Sequence, residues 1–184
     1  MSVKMSVNVI VAMTEERVIG NKGSIPWKIP EETKLFKELT TGNIVVMGRN
    51  TWNSLPEKYK PLPNRTNIII STTMQEQKGA IVCKTVQEAM QKTHVYSGEV
   101  FCIGGAQIYA AMLPLTKTLH ISQIKERYIG DTYFPEIKFD VWDLKETKEF
   151  KDFTYKRYAV FASYDPIFSH GNDYVYGHLY TYLA

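Results

Sequence analysis

No apolar run in this sequence approaches the roughly 20 residues that a membrane-spanning helix needs. The apolar stretch from Val7 to Met13 contains Asn8 and has no small-residue cleavage site, so it reads as a strand and not as a signal peptide. A cytoplasmic location with no membrane partner is the expectation. Cysteine is scarce: Cys83 and Cys102 lie far apart, Cys102 within an apolar run, and both are expected to be reduced. The histidines (His94, His120, His170 and His178) are scattered, with no HExxH and no Cys/His spacing for zinc, so no metal is expected. Neither GxGxxG nor GxxxxGKS/T occurs, which excludes a standard Rossmann dinucleotide site and a P-loop. The net charge of +3 is modest and the lysines are dispersed, which argues against nucleic acid as the main partner but leaves room for small anions.

What the sequence does contain is an ordinary globular composition, 44% hydrophobic and 22% charged, which sets disorder aside. The 184 residues show no repeat, low-complexity tract or linker, and predict one domain over 1–184, acting as a monomer. Strand patterns at Val7–Met13, Asn43–Met47, Asn67–Ser71, Ala80–Cys83, Val100–Ile103 and Thr118–Ile124 alternate with helical ones. The helical stretches are Glu31–Thr40, Thr51–Leu55, Val86–Lys92 and Ala106–Leu113. Several strands are continuous Val/Ile runs, as expected where both faces are covered. The fold predicted is α/β, with a mainly parallel central sheet flanked by helices. From Trp142 onward the chain is rich in Tyr and Lys. Alternations such as Tyr174/Tyr176 and Tyr180/Tyr182, with a loop from Pro166 to Asn172, predict antiparallel strands closing one edge.

Two patterns carry chemistry. In the helix after Pro30, Leu35, Phe36 and Leu39 form an apolar stripe that Glu32 joins at i, i+3, i+4 and i+7. Glu32 fits two readings: a first-turn acid favoured by the helix dipole with its tip in solvent, or a carboxylate at the bottom of an apolar pocket awaiting a cationic or amidine-like ligand. Pro26, Trp27 and Pro30 stiffen the preceding loop, and Trp27 offers a flat wall with one N–H. The second pattern is a set of strand ends suited to anions. These are Gly48-Arg49, with Thr51 as a cap for the short helix; Ser71-Thr72; and Ile103-Gly104-Gly105, running into the helix Ala106–Leu113. In open α/β sheets ligands lie at such carboxyl ends.

The stretch Val18-Ile19-Gly20, Ile25-Pro26-Trp27, Ile29-Pro30, Glu32 and Phe36-Lys37 resembles the dihydrofolate reductase signature. So do Met47-Gly48-Arg49, Thr51-Trp52, Ser54-Leu55, Leu62-Pro63-x-Arg65-x-Asn67 and Ile103-Gly104-Gly105-x-x-Ile108-Tyr109, in order, from about Val9 to Pro135. The resemblance implies hydride transfer from NADPH to dihydrofolate, and a fold in which antifolate inhibitors compete for the pterin site. It implies Glu32, Trp27 and Ile25 as catalytic: Glu32 accepting two hydrogen bonds from the pterin and favouring a protonated N5, with a water admitted by the loop around Ile25 as the proton source. Phe36, Ile10, Leu62 and Ile103 would wall the substrate, and Arg65 would clamp its α-carboxylate.

By the same route Arg49, Ser71 and Thr72 would hold the adenosine 2′-phosphate, Gly104, Gly105 and Thr51 the pyrophosphate, and Ala12 and Ile19 the nicotinamide amide. Gly20, Gly48, Asn50, Ala106, Gln107, Ile108, Tyr109 and Thr132 complete the implied cofactor set. The chain departs from the family at Thr33, where Leu or Met is usual, which predicts a less apolar pocket for antifolates. It also departs at Ser122, where Thr is common but whose hydroxyl can still hydrogen-bond the carboxylate or a bound water, and at Gln107, where some members carry a second Arg. A related riboflavin-pathway reductase would share the fold and the Gly-Gly turn but lack the Trp27/Glu32/Phe36 set. A non-catalytic nucleotide-binding module could have lost Glu32 or Trp27.

Overall fold

A computed structural model of the protein describes residues 7–161. Its centre is an eight-stranded sheet. The strands are β1 (Val7–Met13), β3 (Ile44–Gly48), β4 (Thr66–Ile70), β5 (Ala80–Cys83), β6 (Val100–Cys102), β7 (Thr116–Ile124), β9 (Trp142–Glu149) and β10 (Phe153–Val160). Their order is β5-β4-β3-β6-β1-β7-β10-β9. The first six run parallel, and β10 and β9 are antiparallel additions at one edge. The mainly parallel sheet with an antiparallel C-terminal edge is thus as predicted. The tyrosine alternations from Tyr174 to Tyr182 and the loop from Pro166 to Asn172 lie outside the described residues.

Helices cover both faces: α1 (Pro30–Thr40), α2 (Arg49–Ser54), α3 (Val86–Thr93) and α4 (Ala106–Met112). Strand periodicity sorts β1 between two cores. Val7, Val9, Val11 and Met13 pack with Ile108, Tyr109 and Met112 of α4, whereas Ile10 joins Phe36, Leu39 and Trp52 from α1 and α2. Full burial of a side chain of this size is worth about 1.5–3 kcal/mol, so these two layers hold the strand ends in register.

Helix α1 starts where Pro30 presets φ and contributes no N–H, with Glu31 and Glu32 in the first turn. Helix α2 begins earlier than its sequence suggests. Gly48 is its N-cap in extended conformation, so Thr51 sits inside the helix and does not cap it. The parallel pairing of Gly48 with Ile70 carries β3 right up to the helix, leaving no room for a loop. A second, two-stranded sheet of β2 (Val18–Gly20) and β8 (Thr132–Tyr133) has no counterpart in the sequence reading, because so short a ladder shows no alternation.

Candidate active site

The Glu32 carboxyl decides between the two readings of its helix. It is half-buried and lies against β7, where the Ser122 hydroxyl acts on it as a hydrogen-bond donor. Burial pushes its pKa above the ordinary carboxylate value, the Ser122 bond opposes the shift, and no cation contributes. A desolvated carboxyl with a single hydroxyl partner is an incomplete arrangement, open to a ligand that supplies donors. Beside it, Thr33 donates its hydroxyl back to the Ile29 carbonyl at 3.3 Å. That bond commits the hydroxyl's proton to the helix backbone and leaves its oxygen as an acceptor.

The implied substrate walls converge. Ile10 and Leu62 are buried in one cluster, with Phe36 and Ile103 packed against it. Ala12 and Trp27 pack against a neighbouring cluster of Ile29, Ile124, Phe153 and Tyr155. Trp27 also meets the Tyr128 ring at 5.3 Å. Ile25 is 63% exposed at the tip of the preceding loop, an apolar side chain left for a ligand or a loop movement to cover.

Arg65 lies at the far end, its guanidinium 6.0 Å from the Phe36 ring centroid. It donates to the Thr40 hydroxyl at 3.0 Å and to the Pro63 carbonyl at 3.0 Å. Asn67 shapes the loop that carries it. Its amide accepts from the Leu62 N–H and donates to the Leu62 and Arg65 carbonyls, each within 3.0 Å. Along α1 there thus follow a half-buried acid, an apolar cluster at Phe36 and a cation at Arg65.

The glycine-bearing strand ends meet on the other side. The Gly48 N–H donates to the Gly104 carbonyl at 2.7 Å. A Cβ on Gly48 would lie 2.9 Å from the Ile108 side chain, and one on Gly105 3.5 Å from the Thr51 hydroxyl. Gly104 has φ +105°, and a Cβ there would strike the Tyr109 ring at 2.9 Å. Tyr109 cannot yield, because its buried hydroxyl donates to the Ile10 carbonyl at 2.8 Å. Ala106 is half-buried at the start of α4, and Gln107 is exposed next to it.

Arg49 is exposed with Asn50 in the first turn of α2, and its guanidinium donates to Thr73 at 2.6 Å. Thr72, expected with Arg49 and Ser71 at the 2′-phosphate, is exposed, while Ser71 accepts from the Thr73 and Met74 N–H groups. The turn after β4 adds Thr73, which the sequence reading did not name, to the residues beside Arg49. Ile19 and Gly20 lie on β2, where the position of a Gly20 Cβ is 3.4 Å from the Thr132 side chain. Asp131, next to Thr132, accepts from the Lys22 N–H at 2.9 Å and so ties β8 to the loop after β2.

A doubly covered parallel sheet with small residues clustered at its strand ends, beside a half-buried acid against an apolar cluster, fits a nucleotide-dependent enzyme of the α/β class. The family model described as "Dihydrofolate reductase" matches residues 6–165. The dihydrofolate reductase of Buchnera aphidicola subsp. Acyrthosiphon pisum is 41% identical over 134 residues, 73% of this chain and 81% of that protein. That of Haemophilus influenzae is 34% identical over 141 residues, 77% and 86% of the two chains. The solved dihydrofolate reductase of Enterococcus faecalis, complexed with NADP(H) and RAB-propyl, superposes with a TM-score of 0.76 at 31% identity. That match covers 84% of this chain and 96% of the other. The chain belongs to the dihydrofolate reductase family.

Proposed function

We propose that this protein reduces 7,8-dihydrofolate to 5,6,7,8-tetrahydrofolate with NADPH, placing a hydride on C6 and a proton on N5. In that role it supports one-carbon metabolism and the synthesis of thymidylate and purines. The observation that carries the reading is the half-buried Glu32 carboxyl beside Ser122, on the helix whose Phe36 packs on the apolar cluster and faces Arg65. A pterin offers an N–H and an amino group side by side, which one carboxylate accepts together. Glu32 orients the ring and stabilises positive charge as N5 gains its proton. The exposed Ile25 at the tip of its loop controls entry of the water that delivers that proton, and Trp27 forms the flat wall behind it. Ile10, Phe36, Leu62 and Ile103 hold the ring and the aminobenzoyl group, with Thr33 beside them. Arg65 takes the α-carboxylate in a planar fork. Apolar antifolates are expected at the same walls.

The residues also fit the cofactor. Gly48 and Gly104, where a Cβ would strike Ile108 and Tyr109, and Gly105 beside Thr51 bring backbone without side chains to the strand ends, suited to a pyrophosphate. Thr51, Ala106, Ile108 and Tyr109 line the same corner. NADPH, when bound, supplies the hydride. Ala12, Ile19, Gly20 and Thr132 hold the nicotinamide end, and Arg49, Asn50, Ser71, Thr72 and Thr73 the 2′-phosphate end, with Gln107 adding a neutral partner. We read the chain as one domain that works as a monomer in the cytoplasm, without nucleic acid. No helix among the described residues is long and apolar enough to cross a membrane.

Mixing protein, NADPH and dihydrofolate should bleach the nicotinamide absorbance band, faster than with NADH. Folded protein that leaves the band unchanged would end this reading. Arg49→Ala should weaken NADPH binding about tenfold or more while sparing NADH, since a charged hydrogen bond is worth about 1.5–3 kcal/mol and only NADPH carries the extra phosphate. Calorimetric titration with both cofactors checks it, and equal losses would move Arg49 elsewhere.

A further inference from the structure

Beneath the acid lies a second pair of polar groups that the reaction does not touch. On β7, Ser122 faces α1, and His120, two residues earlier, projects from the same face. On β10, Tyr155 is the register partner of Ser122. Its ring leans along the sheet past Ser122, so that its hydroxyl meets His120 Nδ1 at 2.8 Å. His120 is 7% exposed and Tyr155 3%. The pair joins the two clusters that seat α1. Tyr155 belongs to the cluster packed by Leu35, Leu39 and Trp27, while the His120 ring lies 5.6 Å from Phe101 in the cluster packed by Phe36 and Leu39.

We propose that Tyr155 is a positioning residue for Glu32: latched by His120, its ring backs the Ser122–Glu32 pair, keeps water from its underside and holds the seat on which α1 carries the carboxyl. The proposal rests on Glu32 as the pterin-binding acid. The charged groups facing the pair are Arg157, opposite His120, and Glu146, to which Arg157 is bonded at 3.1 Å. Burial pushes His120 down to about 4 and Tyr155 up to about 12, so both are neutral when the enzyme works and the latch does not titrate with the reaction.

Tyr155→Phe removes one oxygen and frees the ring. The Glu32 carboxyl, followed by carbon-detected NMR titration of the free protein, should then ionise about half a unit or more lower, because water reaches it. The KM for dihydrofolate should rise about three- to tenfold, the scale of one neutral hydrogen bond, with NADPH affinity unchanged. His120→Phe should produce the same changes, and the double variant should be no worse than either single one. A lower melting temperature with unchanged Glu32 titration and unchanged KM would reduce Tyr155 to core packing and overturn the proposal. A shifted titration with unchanged KM would uphold the latch and instead overturn the assignment of Glu32 to the pterin.

Discussion

Glu32→Gln should lower dihydrofolate turnover at pH 7 by on the order of 10² or more, the scale of losing one preorganised electrostatic group. Gln keeps the size and can still bond Ser122, so the loss isolates the charge that favours a protonated N5. NADPH affinity should barely change, because Glu32 is bonded to Ser122 in the apolar cleft while the candidate cofactor positions lie around Gly48 and Gly104. Part of the activity should return at low pH, where solvent protonates N5 before hydride transfer. A stopped-flow pH profile checks all three points, and near-normal turnover at pH 7 would remove Glu32 from the chemistry. The unliganded variant should also be more stable at neutral pH. The native carboxyl has its pKa raised in the fold, so the unfolded chain loses this proton first as pH rises. Stability therefore falls between the unfolded and folded values and stays lower above them, a cost that Gln does not carry.

The second large effect is expected at Gly104. A methyl there meets a positive φ and the Tyr109 ring together. The strained backbone costs about 1–3 kcal/mol, and overpacking against a side chain that cannot move costs about 1–3 more. Tyr109 is pinned by the Ile10 carbonyl and lies 4.7 Å from the Phe134 ring, so the Gly104 backbone must give way. Gly104→Ala should therefore lower the melting temperature by about 5–20 °C, at roughly 2–4 °C per kcal/mol for a chain of this size. It should also cut NADPH affinity more than tenfold, because the same carbonyl positions Gly48. Gly105→Ala supplies the contrast. Its φ is −85° and its Cβ meets only the Thr51 hydroxyl at 3.5 Å, so it should fold normally and lose cofactor alone. A Gly104→Ala protein melting within 2 °C or so of the parent would show that Tyr109 can yield after all.

Much of this molecule was legible before folding was considered, for local reasons. Continuous Val/Ile runs marked the covered strands of the parallel sheet, and Pro30 followed by two acids marked the start of α1. Both follow from backbone sterics and burial, which act over a few residues. The ordered motifs from Val18 to Tyr109 pointed to the family, and Glu32 stood out because a carboxylate interrupted an apolar stripe.

Side-chain direction was not legible, because it depends on residues far away in the chain. Whether Glu32 met water or Ser122 is settled by the pairing of β1 with β7, which sets Ser122 in the sheet beneath α1. The bond of Thr33 to Ile29 and that of Arg49 to Thr73 follow from the course of a helix turn and a loop. The β2–β8 ladder and the His120–Tyr155 latch join segments with no common local pattern. Propensity and periodicity are properties of neighbours in sequence. A hydrogen bond between distant residues exists only once the sheet has closed and brought its partners within 3 Å or so of each other.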